Sequence, residues 1–185
     1  MLKSITPIFY TPLYTFHFER HEELKKDVMD FLCNDEHYKD YKENHVDLSG
    51  PNLHKEKILR NHYLFMYECL SFAMADLGYQ ADISVTSMWA TRQKKGMYHH
   101  PHKHGNTFLA GVYYMHGSQG TQGTTFFNPD NLLQISPTRD LTREHRLRSR
   151  FTNDFIEGDF IVFPAWTIHN TSQNFIGDRY ILGIN

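Results

Sequence analysis

The sequence predicts an α+β fold, with a sandwich or jelly roll behind a helical layer. Three observations predict it. Helical periodicity is confined to the stretch before Gly78, every strand-like run but one lies after it, and those runs are short and bounded by Gly, Pro, Asn or Asp. The aromatic content, fourteen Phe, eleven Tyr and two Trp, suits strands and pocket walls. The 185 residues are read as one domain (1–185), with a helical part over 1–78 and a jelly-roll core over 79–185.

Ser4 to Phe18 alternates short apolar runs with Pro7 and Pro12 and reads as an edge strand or extended arm. Its aromatic side chains make it a candidate homodimer interface. His21–Leu32 reads as a helix, with Leu24, Val28, Phe31 and Leu32 on one face and Glu22, Glu23, Lys25 and Lys26 on the other. The polar stretch Asn34–Asn52 reads as a loop. Glu56–Leu77 reads as a long helix with two neighbouring apolar stripes, Ile58/Phe65/Cys69/Phe72 and Leu59/Tyr63/Met66/Leu70/Met74. A helix apolar over so wide an arc packs centrally. Gly78 stands where a C′ glycine ends such a helix.

The strands expected after Gly78 are Asp82–Arg92, Thr107–Met115, Thr124–Asn128, Asp159–Phe163, Trp166–Thr171 and Arg179–Ile184. Between them, Asn131–Arg150 reads as a long loop holding Arg139, Arg143, Arg146, Arg148 and Arg150. It is either a lid over a pocket or a solvated surface balanced by Asp140, Glu144 and Asp154.

Composition excludes several classes. A formal charge of −2 gives no nucleic-acid or membrane footprint. Cys33 and Cys69 lie far apart and form no CxxC, so no disulfide framework is expected and a reducing cytoplasm fits. No apolar run reaches the ~18–20 residues of a membrane span. Met1-Leu2-Lys3 opens no signal peptide, because Thr6, Pro7, Tyr10 and Pro12 interrupt the run that follows.

Histidine carries the chemistry. His99, His100, His102 and His104 fall together, and His169 and Arg179 follow in later strand-like runs. Residues two apart on a strand share a face, so either His100/His102 or His102/His104 presents two imidazoles to one ion. His169 arrives from another strand. Three protein ligands leave positions open for a cosubstrate and dioxygen, the logic of non-haem Fe(II) oxygenases. The turn residues of Asn170–Asp178 bring Arg179 back beside the His169 strand, where a guanidinium can grip a carboxylate.

These residues resemble a family. Trp89, Gly96, His102-Lys103-His104, Gly111-Val112-Tyr113-Tyr114, Gly158-Asp159 to Phe163-Pro164, His169 and the run Arg179 to Asn185 look like the 2-oxoglutarate/Fe(II)-dependent oxygenases, in particular a bacterial and phage branch with an HxH…H…R pattern. The resemblance implies a double-stranded β-helix, a cupin-like jelly roll with the N-terminal helices on one sheet. It implies Fe(II) held by His102, His104 and His169, and 2-oxoglutarate bound by Arg179 and Tyr114, with Asn106 near the metal-bound cosubstrate. The implied activity is a dioxygenase that hydroxylates an unidentified substrate, with a peptidyl one offered by analogy alone, and releases succinate and CO2, with no protein general base. His99 and His100 are left as neighbours. The wider superfamily usually has Asp or Glu at the His104 position, and where small residues are often found near the GVYY strand and two after the Arg this chain has Ala110 and Ile181, so position 181 offers no hydroxyl to the cosubstrate carboxylate. Two alternatives stay open: a three-His cupin-type dioxygenase that does not use 2-oxoglutarate, and a non-enzymatic jelly-roll binding module.

Overall fold

A computed structural model describes residues 11–38, 42–43, 46–128 and 150–185. The chain runs β1 (Tyr14–His17), α1 (His21–Leu32), β2 (Lys42–Glu43), β3 (Val46–Leu48), α2 (Arg60–Asp76), β4 (Met88–Gln93), β5 (His99–His102), β6 (Leu109–Gly117), β7 (Gln122–Phe127), β8 (Arg150–Asp154), β9 (Asp159–Pro164), β10 (His169–Thr171) and β11 (Arg179–Ile184). Two antiparallel sheets form, a larger one in the order β1-β9-β6-β11-β4-β3-β2 and a smaller one in the order β5-β10-β7-β8. Apart from β2-β3-β4 and β7-β8, spatial neighbours are distant in the chain, as in a jelly roll.

The larger sheet is buried on both faces, which explains why Leu109–Met115 is continuously apolar rather than alternating. Leu109, Tyr113 and Met115 face the helices with Phe160, Val162, Leu182 and Ile184. Ala110, Val112 and Tyr114 face the smaller sheet with Phe126, Ile161, Phe163 and Ile181. A Cβ at Gly183 would come within 2.5 Å of the Trp89 indole, so this glycine is what lets the ring lie across β11.

α1 falls where the periodicity puts it, and Val28 and Leu32 are buried. α2 begins one turn later than expected, after a 3-10 turn over Lys57–Leu59. It buries Met66, Cys69, Leu70 and Ala73. Of the two expected stripes, the one containing Ile58 and Phe72 is partly turned to solvent. Gly78 (φ 85°) ends α2 as a Schellman motif: its N–H donates to Ala75 O at 2.9 Å, and the Tyr79 N–H to Met74 O at 3.0 Å.

Four expectations need correction. Within Asn34–Asn52 the chain forms a 3-10 turn (Asp35–Tyr38) and the β2–β3 pair, and β3 joins β4. Asp47 on β3 is clamped by Arg92 at 2.8 Å, so a buried ion pair holds a segment whose polarity reads as loop. The strand expected from Asp82 starts only at Met88. β5 and β8 are strands where none was expected. Both are polar edges of the smaller sheet, and β5 contains Pro101, which an edge tolerates. The strand expected from Trp166 starts only at His169. Of the Arg-rich loop, Arg139, Arg143, Arg146 and Arg148 lie outside the described residues, and Arg150 opens β8.

Candidate metal centre

His102 ends β5 and His169 begins β10, and the two are cross-strand partners. Opposed residues of antiparallel strands share a face, and their ring centroids lie 4.3 Å apart. His104 lies beyond the strand end, where its N–H donates to Ala165 O at 2.9 Å. This places its ring 5.3 Å from His102 and 5.1 Å from His169. One ligand atom of each histidine lies within 4.8 Å of those of the other two. His100 is exposed and packs on Tyr98, so the open register resolves geometrically to His102 and His104.

All three rings are tied by the same nitrogen. Nδ1 of His102 meets His100 O at 2.8 Å, Nδ1 of His169 meets Thr167 O at 2.9 Å, and Nδ1 of His104 meets Asn185 Oδ1 at 2.6 Å. Each partner is a carbonyl-type acceptor, so each Nδ1 carries the proton and each Nε2 keeps a lone pair. This is how outer-shell partners prepare imidazoles for a metal. Burial, reinforced by His102, pushes His169 down to about 3, and burial also lowers His104 against the opposing Asn185 bond. Burial therefore favours the neutral imidazole at His104 and His169, and the trio contains no carboxylate. Trp89 lies against His104 at 5.7 Å.

Arg179 opens β11, is 2% exposed and sits in the space between the sheets. Its Nη1 donates to Gln93 Oε1, and Gln93 Nε2 donates to Thr171 Oγ1 at 2.7 Å, linking the two sheets. Among the described residues, Nε and Nη2 have no partner. Those two N–H groups form the side-on fork that fits a carboxylate. A buried cation with an open fork is costly alone, and desolvation pushes Arg179 down to about 10. Tyr114 and Phe155 rings flank the guanidinium at 5.9 and 5.4 Å.

The other expected contacts stand differently. The Tyr114 hydroxyl is engaged with Asn153 Oδ1 at 2.8 Å and with Thr124 Oγ1 and N, both at 3.0 Å. Asn106 is exposed at φ 59°, a left-handed turn that Asn tolerates. Ala110 and Ile181 both face the inter-sheet core. Sequence reasoning missed the roles of Gln93, Thr171 and Asn185, and it left His99 as a bystander. His99 stacks on His102 at 4.0 Å. Gln93 could have been found from register: it opposes Arg179 across β4–β11, and a polar pair in a buried sheet needs a purpose.

A family model described as "Putative 2OG-Fe(II) oxygenase" matches residues 87–180. The chain belongs to this family. The 2OG-Fe(II) oxygenase region thus begins just before β4 and closes at the start of β11, taking in all three histidines and Arg179. No curated protein matches the chain by sequence. Similar solved structures include a Pseudomonas putida prolyl-4-hydroxylase, with 13% identity over 93% of this chain and 90% of that one, TM-score 0.60. A viral collagen prolyl hydroxylase from Paramecium Bursaria Chlorella virus-1, in its 2OG complex, has 14% identity over 93% of each chain, TM-score 0.61. HygX from Streptomyces hygroscopicus, with nickel and 2-oxoglutarate bound, has 11% identity over 94% of this chain and 82% of that one, TM-score 0.63. At these identities the likeness concerns the fold: the two sheets pack as the double-stranded β-helix of 2OG oxygenases, with the N-terminal helices on the larger sheet. No helix is long and apolar enough to cross a membrane among the described residues.

Proposed function

We propose that this 2OG-Fe(II) oxygenase binds Fe(II) through Nε2 of His102, His104 and His169, anchors the distal carboxylate of 2-oxoglutarate on Arg179, and hydroxylates an organic substrate with release of succinate and CO2. The observation that carries the reading is the open Nε/Nη2 fork of buried Arg179, in the same inter-sheet space as three imidazoles that all present Nε2. A buried guanidinium with no anion among the described residues fits a dianionic cosubstrate and has no use in a site that binds none. That disfavours a cupin-type dioxygenase working without 2-oxoglutarate.

When bound, the iron and 2-oxoglutarate supply the oxidising chemistry. The protein's own residues position and shield. Gln93 fixes Arg179 by holding Nη1, so the fork faces a single direction. Thr171 fixes Gln93 in turn. Asn185 and the two backbone carbonyls hold the rings against rotation. Phe126 and Phe163 wall His169 at 6.1 and 4.7 Å and keep water from that side. Tyr114 supports the Arg179 pocket chiefly with its ring, and its hydroxyl reaches a carboxylate only by releasing Asn153 or Thr124. Asn106 touches metal-bound cosubstrate only by turning in from the rim. A third imidazole in place of a carboxylate leaves the centre one charge more positive, which weakens Fe(II) binding relative to a two-His, one-carboxylate site.

Two of the similar structures are prolyl hydroxylases, so a peptidyl substrate is the first class to offer. The test is succinate release from 2-oxoglutarate in air with Fe(II). The wild type is expected to form succinate, slowly without prime substrate, and His169→Ala to form none. Equal succinate from both proteins contradicts the assignment.

A further inference from the structure

Away from the three metal-centre histidines, at the start of α1, His21 is 2% exposed and its Nε2 has no hydrogen-bond partner among the described residues. That nitrogen points between two carboxylates, 3.9 Å from Glu22 Oε1 and 3.8 Å from Glu157 Oε2. The three ligand atoms all lie within 4.8 Å of one another. We propose that His21, Glu22 and Glu157 form a second divalent-cation site, suited to Zn²⁺, that clips α1 to the turn leading into β9.

The surroundings are arranged as a metal site requires. His21 Nδ1 lies 2.7 Å from the Tyr113 hydroxyl, and donation from Nδ1 leaves the Nε2 lone pair facing the carboxylates. Glu157 is held by its other oxygen: Oε1 accepts from His116 Nδ1 at 2.8 Å and from the Gly117 N–H at 2.9 Å. That fixes Oε2 toward the cluster, the work of an outer shell. The turn is seated on two histidines, since Gly158 has φ 87° and a Cβ there would meet His17 Cε1 at 2.9 Å and His21 Cβ and Cγ at 3.0 and 3.1 Å. Ligands ~2.0–2.1 Å from tetrahedral zinc stand about 3.3 Å from each other, so the two His21–carboxylate pairs close by about half an ångström from 3.8 and 3.9 Å, and the two carboxylates, within 4.8 Å of each other, close by up to about 1.5 Å. One imidazole and two carboxylates, with water as the fourth ligand, suit borderline Zn²⁺.

Lys25 is the competitor. Its ammonium contacts Glu157 Oε2 and neutralises it when no metal is bound. The helix N-terminus also disfavours a cation, and the two carboxylates must outweigh both. Zinc binding is therefore an exchange in which Lys25 swings out to solvent. This yields a signed expectation that a plain ion pair does not share: removing Lys25 tightens zinc binding.

The test is calorimetric Zn²⁺ titration of the full chain in a His102→Ala/His169→Ala background, which silences the triad. One equivalent is expected to bind and to raise the melting temperature. Glu22→Gln, an exposed change that leaves the core intact, should weaken binding by about 10-fold or more, as should Glu157→Gln, and Lys25→Met should tighten it several-fold. No zinc uptake in that background, or uptake indifferent to both glutamates, overturns the site. Neither result bears on the triad, whose own failure would appear as lost Fe(II) binding in the otherwise unaltered chain.

Discussion

Arg179→Met should separate two effects that usually travel together. In the cosubstrate-free protein Arg179 is a buried charge whose Nε and Nη2 find no partner among the described residues. Desolvation pushes it well below the ordinary guanidinium value, to about 10, which corresponds to about 3 kcal/mol spent on keeping it charged. Methionine keeps the stem's volume and removes that charge, so the free protein should be as stable as wild type or more stable, by up to about 3 kcal/mol. In the cosubstrate complex the same change removes two charge-assisted bonds, each worth about 1.5–3 kcal/mol. The expected loss is about 3–6 kcal/mol, or roughly 10²–10⁴ in 2-oxoglutarate affinity. Thermal unfolding of the free protein and anaerobic equilibrium binding of 2-oxoglutarate to the Fe(II) form measure the two effects. Gln93→Glu is the companion: a carboxylate beside Nη1 should stabilise the free protein while competing with 2-oxoglutarate. If Arg179→Met melts several degrees lower and binds 2-oxoglutarate normally, Arg179 is a structural residue and the reasoning fails.

Three further outcomes are expected. Asn185→Ala frees Nδ1 of His104 and should weaken Fe(II) binding by about 10–100-fold, read by metal titration with little change in melting temperature. His62 in α2 is buried, both its ring nitrogens have no partner among the described residues, and it is pushed down to about 4, by burial first and His21 second. The unfolded chain takes up the proton first, so His62 contributes stability that is complete above about pH 6.5 and lost as pH falls toward 4; His62→Leu should remove about 3 kcal/mol of that acid loss, measured by urea melts across this range. Gly183→Ala drives a methyl into the Trp89 indole and should cost about 1–3 kcal/mol. It should also disturb Fe(II) binding through His104, and an unchanged affinity would mean that the Trp89 contact does not position that ring.

What was legible in the sequence followed burial. α1 and β11 are found at their expected bounds because each carries an unambiguous apolar pattern. The H-x-H spacing left His100/His102 and His102/His104 both open, and it was the family resemblance that singled out His102, His104 and His169, whose ligand atoms the structure brings within 4.8 Å of one another. β5 and β8 were not legible, since polar edge strands at the sheet's rim are held by backbone pairing rather than by apolar side chains. β3 was hidden for a related reason: Asp47 reads as loop until Arg92 is placed against it. The supports of the site, Gln93, Thr171 and Asn185, come from three separate strands or strand ends. Their roles exist only once β4, β10 and β11 converge, and no local pattern announces that.

The central claim is that the three imidazoles and Arg179 together hold Fe(II) and 2-oxoglutarate. Anaerobic titration with Fe(II), followed by 2-oxoglutarate, tests it most directly. The account predicts a weak charge-transfer band in the visible that appears only with both, is absent in His102→Ala, and needs far more 2-oxoglutarate in Arg179→Met. An Fe(II) spectrum unchanged by 2-oxoglutarate in the wild type would contradict it.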